Sequence, residues 1–423
     1  MGKQDSRSRR DFLQDSMLGF GGLGLAAMMT QSVVTKPVEA EPAPQGVGEG
    51  IRVGVIGVGG RGQGILRTCQ SQGAEIAAVC DVYEGRINQA KSAAPDAEVY
   101  HDYRKLLERK DIDAVAIATP DHWHCQILVD ACDAGKDAYC EKPLSKTINE
   151  GKRMVEAVRR NNRVVQVGNQ YRSSPTWAQA AEYVRSGKLG RIHWVRVWDT
   201  RDWSRGDPFS PPKSAQEGRL DGHLDWDTFL GKAPKVPFDP WRYFAWRWYW
   251  DYAGGMLTDI GAHEIGLVHW IMDIKGPMSV AANGGNYFFE HWETPDVVEA
   301  VWDYGDFTAA FTVQFLNGFE SSGGAFFGTD AALVVGRGGS LVIPQGKGPE
   351  DAVERWGRDE SATHHIVNWL ECVKSREDPN SPIEYGHQVI AACHLANRSY
   401  REGRRLYWDV TRERVFSRPP RRT

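Results

Sequence analysis

Three short stretches carry residue types that could do chemistry together. Gly57-Val58-Gly59-Gly60-Arg61-Gly62 is a G-x-G-x-x-G turn. Glu141-Lys142-Pro143 sets a carboxylate beside an ammonium, and Asp259-Ile260-Gly261-Ala262-His263 spaces a carboxylate four residues from an imidazole. In the glycine stretch, Gly57 would make a tight turn. Gly59 and Gly60 would let backbone N–H groups approach a diphosphate, and Gly62 would let a helix pack closely on a strand. With Arg61 completing the loop, an anion is favoured there by free N–H groups and the helix dipole.

Asp81 ends the next apolar run, where a carboxylate can accept both hydroxyls of an adenosine ribose. That favours NAD over NADP, since a 2′-phosphate would be repelled, while neighbouring Arg86 leaves some NADP use open. A helix cap is the structural alternative for Asp81. Lys142 follows a strand, so it can stand in a ligand crevice. There an ammonium beside a cationic nicotinamide gives up its proton more readily and can shuttle a proton to or from a hydroxyl. A lysine before proline on the solvated surface is the bland alternative. Asp259 and His263 would share one helical face, and a carboxylate beside an imidazole raises its basicity and fixes its tautomer. The alternative is a capping aspartate and a packed core histidine. Thr119-Pro120-Asp121-His122-Trp123-His124 also follows a strand, which makes Thr119, Pro120, His122 and His124 candidate cofactor contacts. His-x-His without a third ligand at a recognisable spacing does not make a metal site, so no metal is expected.

These residues need elements to position them. Ile51 to Ile56 reads as a buried strand before the glycine turn, and a helical pattern opens after it. Further apolar runs at 75–80, 113–119, 137–140 and 164–167 alternate with helical patterns such as 126–134 and 148–160, which predicts a doubly wound parallel sheet. We place this nucleotide-binding Rossmann domain at 51–168. From 169 to 423 the pattern changes to strands with short turns, at 192–198, 297–303, 307–315, 325–328 and 332–335, with late helices at 367–374 and 387–401. That predicts an α/β domain built on a large, mostly antiparallel open sheet, with Tyr304-Gly305-Asp306 as a hairpin turn.

In this order, the glycine loop, the Glu141-Lys142-Pro143 triplet and the Asp259-x-x-x-His263 pair resemble the glucose–fructose oxidoreductase, inositol dehydrogenase and rhizopine-catabolism (Gfo/Idh/MocA) family, over about residues 51–410. The Thr119–His124 and Gly254–His263 stretches look like an exported branch of it. The resemblance implies NAD(P)-dependent hydride transfer on sugars, cyclitols or their keto derivatives. It implies that Glu141 contacts the nicotinamide ribose, and that Lys142, Asp259 and His263 face the substrate with Lys142 and His263 as acid/base candidates. It also implies a cis Lys142–Pro143 bond and a homo-oligomer, dimer or tetramer, built on the open sheet. Two rival readings stay open. One is redox-neutral glycoside cleavage through a 3-keto intermediate, as some relatives perform. The other is a non-catalytic carbohydrate-binding protein that keeps its cofactor as structure.

Asn169, Gln170, Tyr171 and Arg172 end the last Rossmann strand and are expected to offer polar contacts to the substrate. Seven of the sixteen tryptophans lie between Trp198 and Tyr252, including the run Trp241 to Trp250. Such rings could form a carbohydrate platform, but so many cannot line one pocket, which favours a large aromatic core or subunit interface. Arg242 and Arg247 could stack on them.

A chain of 423 residues can hold two sizeable cores. Its net charge of −4 gives no electrostatic case for nucleic acid. Seven cysteines without a Cys-x-x-Cys pair make a poor disulfide framework and read as buried apolar residues. Residues 1–40 read as a twin-arginine signal peptide: Ser8-Arg9-Arg10-Asp11-Phe12-Leu13, then a Gly/Ala-rich apolar segment from Met17 to Thr30, then a small-residue site ending at Ala40. Export of a folded protein to the periplasm would let a dinucleotide bind before translocation. After signal removal no stable membrane insertion is expected. Residues 41–50 read as a linker.

Overall fold

The computed structural model describes residues 44–336, 339–357, 361–416 and 418. The expected signal segment, residues 1–40, lies outside the described residues.

Six short, nearly all-apolar runs form the first sheet: β1 (Arg52–Ile56), β2 (Glu75–Cys80), β3 (Glu98–Tyr100), β4 (Ala114–Ile117), β5 (Asp137–Cys140) and β6 (Val165–Val167). They pair in parallel in the order β3-β2-β1-β4-β5-β6. Continuous apolar character is what a strand covered on both faces needs. On β1, Val53 and Val55 join one buried cluster with Ile65 and Leu66 of the following helix, while Ile56 joins the cluster on the other face. The strand order reverses between β1 and β4, which opens a crevice at their carboxyl ends. Edge strand β3, three residues long, was not expected from the sequence. One feature crosses the expected boundary at residue 168. The late helix Ser361–Ser375 buries Ile366, Trp369 and Leu370 against this first sheet.

The second sheet has ten strands: β7 (Trp194–Thr200), β8 (Ser279–Gly285), β9 (Val297–Asp303), β10 (Thr308–Gln314), β11 (Ser322–Phe327), β12 (Ala331–Gly336), β13 (Gly339–Pro344), β14 (Glu354–Trp356), β15 (Leu406–Asp409) and β16 (Arg414–Phe416). Their order is β14-β13-β12-β11-β7-β10-β9-β8-β15-β16, and only β7 with β10 runs parallel. The expected turn at Tyr304-Gly305-Asp306 joins β9 to β10, with Gly305 in the left-handed region at φ 91°. On β9, Val298, Ala300 and Trp302 are buried and alternate with more open positions, so one face packs on helices. Trp302 donates its Nε1–H to Ala392 O of helix Ile383–Glu402 at 3.1 Å.

Between β7 and helix Met256–Asp259 the chain leaves the second domain and straps across the first. Leu224 bridges Tyr83, Glu84 N donates to His223 O (2.9 Å), and Asp225 N donates to Val82 O (2.9 Å). Trp123 Nε1 donates to Phe229 O at 2.9 Å. The strap is anchored by an aromatic slab. The buried rings of Trp248 and Trp292 stack at 3.8 Å, and both indole N–H groups donate to Asp207 Oδ2, at 2.9 and 3.0 Å. Within the tryptophan-rich stretch Trp198 and Trp248 are buried, and Trp203, Trp226, Trp241 and Trp246 are partly buried against the main core. Among the described residues no helix is long and apolar enough to cross a membrane.

Candidate active site

The glycine turn leads from β1 into helix Gly60–Ser71. Gly57 sits at φ 83°, and a Cβ there would lie 2.7 Å from the backbone of Ala118 and Thr119. A Cβ on Gly62 would fall 1.9 Å from Gly57 O. Both positions therefore admit only glycine. Gly59 and Gly60 are different: a Cβ on either meets nothing within 4 Å. The helix start has no side-chain cap, so its N–H groups face open space. Across the turn, the Thr119 Oγ1 is buried without a hydrogen-bond partner. Open glycines, an uncapped helix start and an orphaned hydroxyl fit a dinucleotide diphosphate.

A cleft with about 340 Å³ of space runs from this turn. Asp81 lines it and accepts N–H bonds from Val58 (2.9 Å) and Tyr83 (3.1 Å), so it braces the glycine loop as well as facing the groove. Burial pushes its carboxyl above the usual range. Thr119, Pro120, Arg61 and Arg86 also line the cleft. Its outer wall comes from the strap, through Phe229, Tyr243, Phe244, Trp246 and Arg247.

Arg61 carries the path onward. Its guanidinium pairs with Glu141, which directly follows β5. The buried Glu141 carboxylate also accepts from Tyr139 Oη (3.1 Å), Gln170 Nε2 (3.0 Å) and Lys142 N (3.1 Å). Burial pulls the Arg61 pKa down, but Glu141 and Tyr139 outweigh it and raise it. The Lys142–Pro143 bond is cis. Lys142 Nζ donates to Asp259 Oδ1 and to Asp259 O, both at 2.8 Å. Burial pushes the Asp259 carboxyl up, yet Lys142 and Arg247 overcome this and hold it down at about 2. His263 packs against the Tyr171 ring at 5.1 Å, and its Nδ1 is buried without a partner. Burial, reinforced by Lys142, keeps this imidazole well below the usual histidine range, with Asp259 opposing.

Several expectations need correcting. Asp259 and His263 do not share one continuous helix: the helix Met256–Asp259 ends at Ile260 and Gly261–Ile271 begins anew. The carboxylate bonds Lys142 and not the imidazole, and burial with Lys142 outweighs the increase in basicity that its charge gives His263. His122 and His124 do not line the cleft. His122 Nε2 lies 2.8 Å from Phe229 O, and burial holds the ring down at about 4. His124 is buried between the two functional loops, its nitrogens 2.8 Å from Pro143 O and 2.9 Å from Thr119 O, and the neutral ring that burial favours donates its one N–H to one of these carbonyls. Asn169 Nδ2, Gln170 Nε2 and Arg172 Nε donate within the protein, while Asn169 Oδ1 is buried without a hydrogen-bond partner. Asn169 Nδ2 holds Ala262 O (2.7 Å), next to His263, and Gln170 Nε2 holds Tyr139 and Glu141. Arg172 stacks on Trp270 and Tyr385 and donates to Asn380 O (2.8 Å). Of this set only Tyr171 borders the reacting end. The sequence reading missed Phe229, Tyr243 and Phe244 as cleft wall, because no spacing signal links a strap to a distant turn. It also missed Asp121, a buried carboxyl that burial and the Asp259 charge push well above its usual range. Among the described residues no group of three or more His, Cys, Asp or Glu is placed to hold a metal, and all seven cysteines are buried and unpaired.

A two-domain α/β chain with an open glycine turn and groove in the first domain, and Lys142 of that domain meeting Asp259 beside His263 of the second, is what the fold and site define. Comparison with known families narrows the class. The chain belongs to the Gfo/Idh/MocA oxidoreductase family, matching its NAD-binding Rossmann fold over residues 51–169 and its C-terminal alpha/beta domain over 180–419.

It is 44% identical over 110 residues to levoglucosan dehydrogenase of Pseudarthrobacter phenanthrenivorans, covering 26% of this chain and 28% of that protein. It is 34% identical over 145 residues to inositol 2-dehydrogenase of Salmonella typhimurium, covering 33% of this chain and 43% of that protein. It is 32% identical over 154 residues to alpha-N-acetylgalactosaminidase of Shewanella oneidensis, covering 34% of each. The chain thus spans less than half the length of these relatives. Among solved structures, levoglucosan dehydrogenase in complex with NADH and levoglucosan superposes with a TM-score of 0.68 at 20% identity, over 84% of this chain and 99% of that one. At that identity the likeness speaks for the fold.

Proposed function

We propose that the protein is an NAD-dependent oxidoreductase acting on a CH–OH group of a sugar, cyclitol or sugar derivative. The observation that carries this is the Lys142–Asp259 pair at 2.8 Å, joined through Glu141 and Arg61 to the glycine turn, with a neutral His263 alongside. When bound, NAD supplies the hydride acceptor. The residues of this chain handle the proton. The hydroxyl to be oxidised docks on Lys142 Nζ, which Asp259 holds in place. As the carbinol carbon loses hydride, the hydroxyl proton passes into the Lys142–Asp259–His263 cluster. Asn169 fixes the start of the His263 helix, and His124 fills the space between the Lys142 and Thr119 loops and bonds one of them.

Similarity to sugar and cyclitol dehydrogenases supports the substrate class. Similarity to an alpha-N-acetylgalactosaminidase favours one second reading, redox-neutral glycoside cleavage through a transient 3-keto sugar on the same residues. The reading also includes export by the twin-arginine segment at Arg9-Arg10 to the periplasm, and a homo-oligomer formed on the open face of the ten-stranded sheet, where Trp194 and Val301 are exposed.

The test mixes the mature protein and NAD with a panel of sugars and glycosides, following reduced-nicotinamide absorbance and free sugar together. Accumulating NADH with a sugar supports the dehydrogenase. Sugar release without net NADH supports the cleavage reading. Binding with neither overturns both.

A further inference from the structure

Arg247 stands out among the arginines around the reacting end. Arg61 is committed to Glu141 and Tyr139, and Arg201 holds Asp199 through two bonds, at 2.7 and 2.9 Å. Arg247, by contrast, donates no hydrogen bond to any acceptor among the described residues. Its nearest carboxylate is Asp259, with Nε 3.8 Å from Oδ1, too long for a hydrogen bond. The guanidinium is nonetheless fixed: its carbon lies 4.3 Å from the centre of the Trp246 ring and 4.5 Å from that of Phe209. Stacked between two rings, it keeps a rigid fork of N–H donors without side-chain bonds to hold it. It lines the cleft, with 23% of its side chain exposed.

Charge counting agrees. Arg61–Glu141 and Arg201–Asp199 are balanced pairs. Lys142 and Arg247 both stand against Asp259, at 2.8 and 3.8 Å, while burial and the Asp259 charge raise the buried Asp121 carboxyl well above its usual range. Lys142 takes the hydrogen bonds of Asp259, which leaves the Arg247 fork unmatched in the cleft. An enclosed guanidinium with free donors binds a planar oxyanion well. The diphosphate already has the glycine turn and the helix start, whereas Arg247 sits against Asp259, at the acid/base end.

We propose that Arg247 receives a carboxylate on the carbohydrate, so that the substrate is an acidic sugar such as a hexuronate or an aldonate. This rests on the hydride-transfer reading and names its substrate class. The test is binding to the NAD-loaded full-length mature protein, by calorimetry, of matched pairs: D-glucuronate and D-glucose, D-galacturonate and D-galactose, D-mannuronate and D-mannose, D-gluconate and D-glucitol. At least one acid should bind about tenfold or more tightly than its neutral partner, the scale of one charge-assisted fork. Arg247→Gln should erase that preference and leave NAD affinity unchanged. Arg247→Lys, which keeps the charge but loses the fork, should retain only part of it, and it provides the readout if the glutamine variant does not fold. Equal or weaker binding of every acid would overturn the proposal. So would a preference that survives Arg247→Gln, or a loss of NAD affinity in its place, which would assign Arg247 to the diphosphate. Neutral sugars that reduce NAD with no acid preferred would sink this inference alone. No NADH with any sugar, acidic or neutral, would sink the reading beneath it.

Discussion

At the scale of single residues, the Lys142–Asp259 pair is the feature on which the chemistry turns. Its two side chains are only 16% and 15% exposed, so each depends on the other. Asp259→Asn should lower kcat by about a hundredfold or more, the scale of a positioned acid/base group. It should also cost on the order of 3 kcal/mol in stability, since it strands a buried ammonium. Steady-state kinetics and chemical denaturation check the two parts. The Asp259 carboxyl, held at about 2, is depressed. Its contribution to stability is therefore complete above the ordinary carboxylate value and is lost as pH falls through 2. With Asp259 ionised and His263 already neutral through the usual histidine range, kcat/KM should stay flat as pH drops through 6.5. An acid limb centred there would contradict this assignment. The residue types at this site were legible because they stand at the ends of strands or at helix termini. Their pairings were not. Nothing in the spacing of Arg61 and Glu141, or of Arg247 and Asp259, says that they meet, and the Asp–His dyad read from four-residue spacing gave way to the Lys142–Asp259 bond, which comes from 117 residues away.

At the scale of elements, the glycine turn separates folding from binding. Gly62→Ala should prevent stable folding, since its Cβ would overlap Gly57 O. Gly59→Ala has room, so it should fold with an unchanged melting temperature yet raise KM for NAD about tenfold by crowding the diphosphate. Thermal melts and initial rates at varied NAD distinguish the two. Strap and slab depend on Asp207, which accepts from Trp248, Trp292 and Phe209 N at 2.8–3.0 Å. Asp207→Ala leaves those donors unsatisfied and should cost about 3 kcal/mol, read from denaturant unfolding. Five of the six Rossmann strands were legible from unbroken apolar runs, all but the short edge strand β3, and β9, β10 and their turn from alternation and Gly305. β8, with the sequence Ser-Val-Ala-Ala-Asn-Gly-Gly, was not, because its register comes from β9 and not from its own β-propensity. The strap escaped notice for the same reason: its short helices are held by tertiary bonds to residues 82–84.

At the scale of the whole molecule, two sheets share one continuous set of contacts. The second domain gives the first a covering helix, a cleft wall and two of its three proton-handling residues. Neither half would make the site alone. Buried histidines run through this assembly, and burial holds His122, His365 and His394 at about 4. Unfolding lets them bind protons at the ordinary value near 6.5, so the unfolded chain gains protons between about 6.5 and 4 and stability falls with pH across that window. Each contributes up to about 1.4 kcal/mol per pH unit. Calorimetric melting temperatures should drop steeply below pH 6.5; a flat profile down to pH 4 would contradict the buried neutral state.

The most direct test is a single-turnover experiment with Lys142→Met and the wild-type protein, both loaded with NAD and mixed with the same oxidisable sugar. Hydride transfer through the Lys142 cluster predicts that NADH forms at least about a hundredfold more slowly in the variant, while NAD binds with unchanged affinity. An unchanged rate of NADH formation would contradict it.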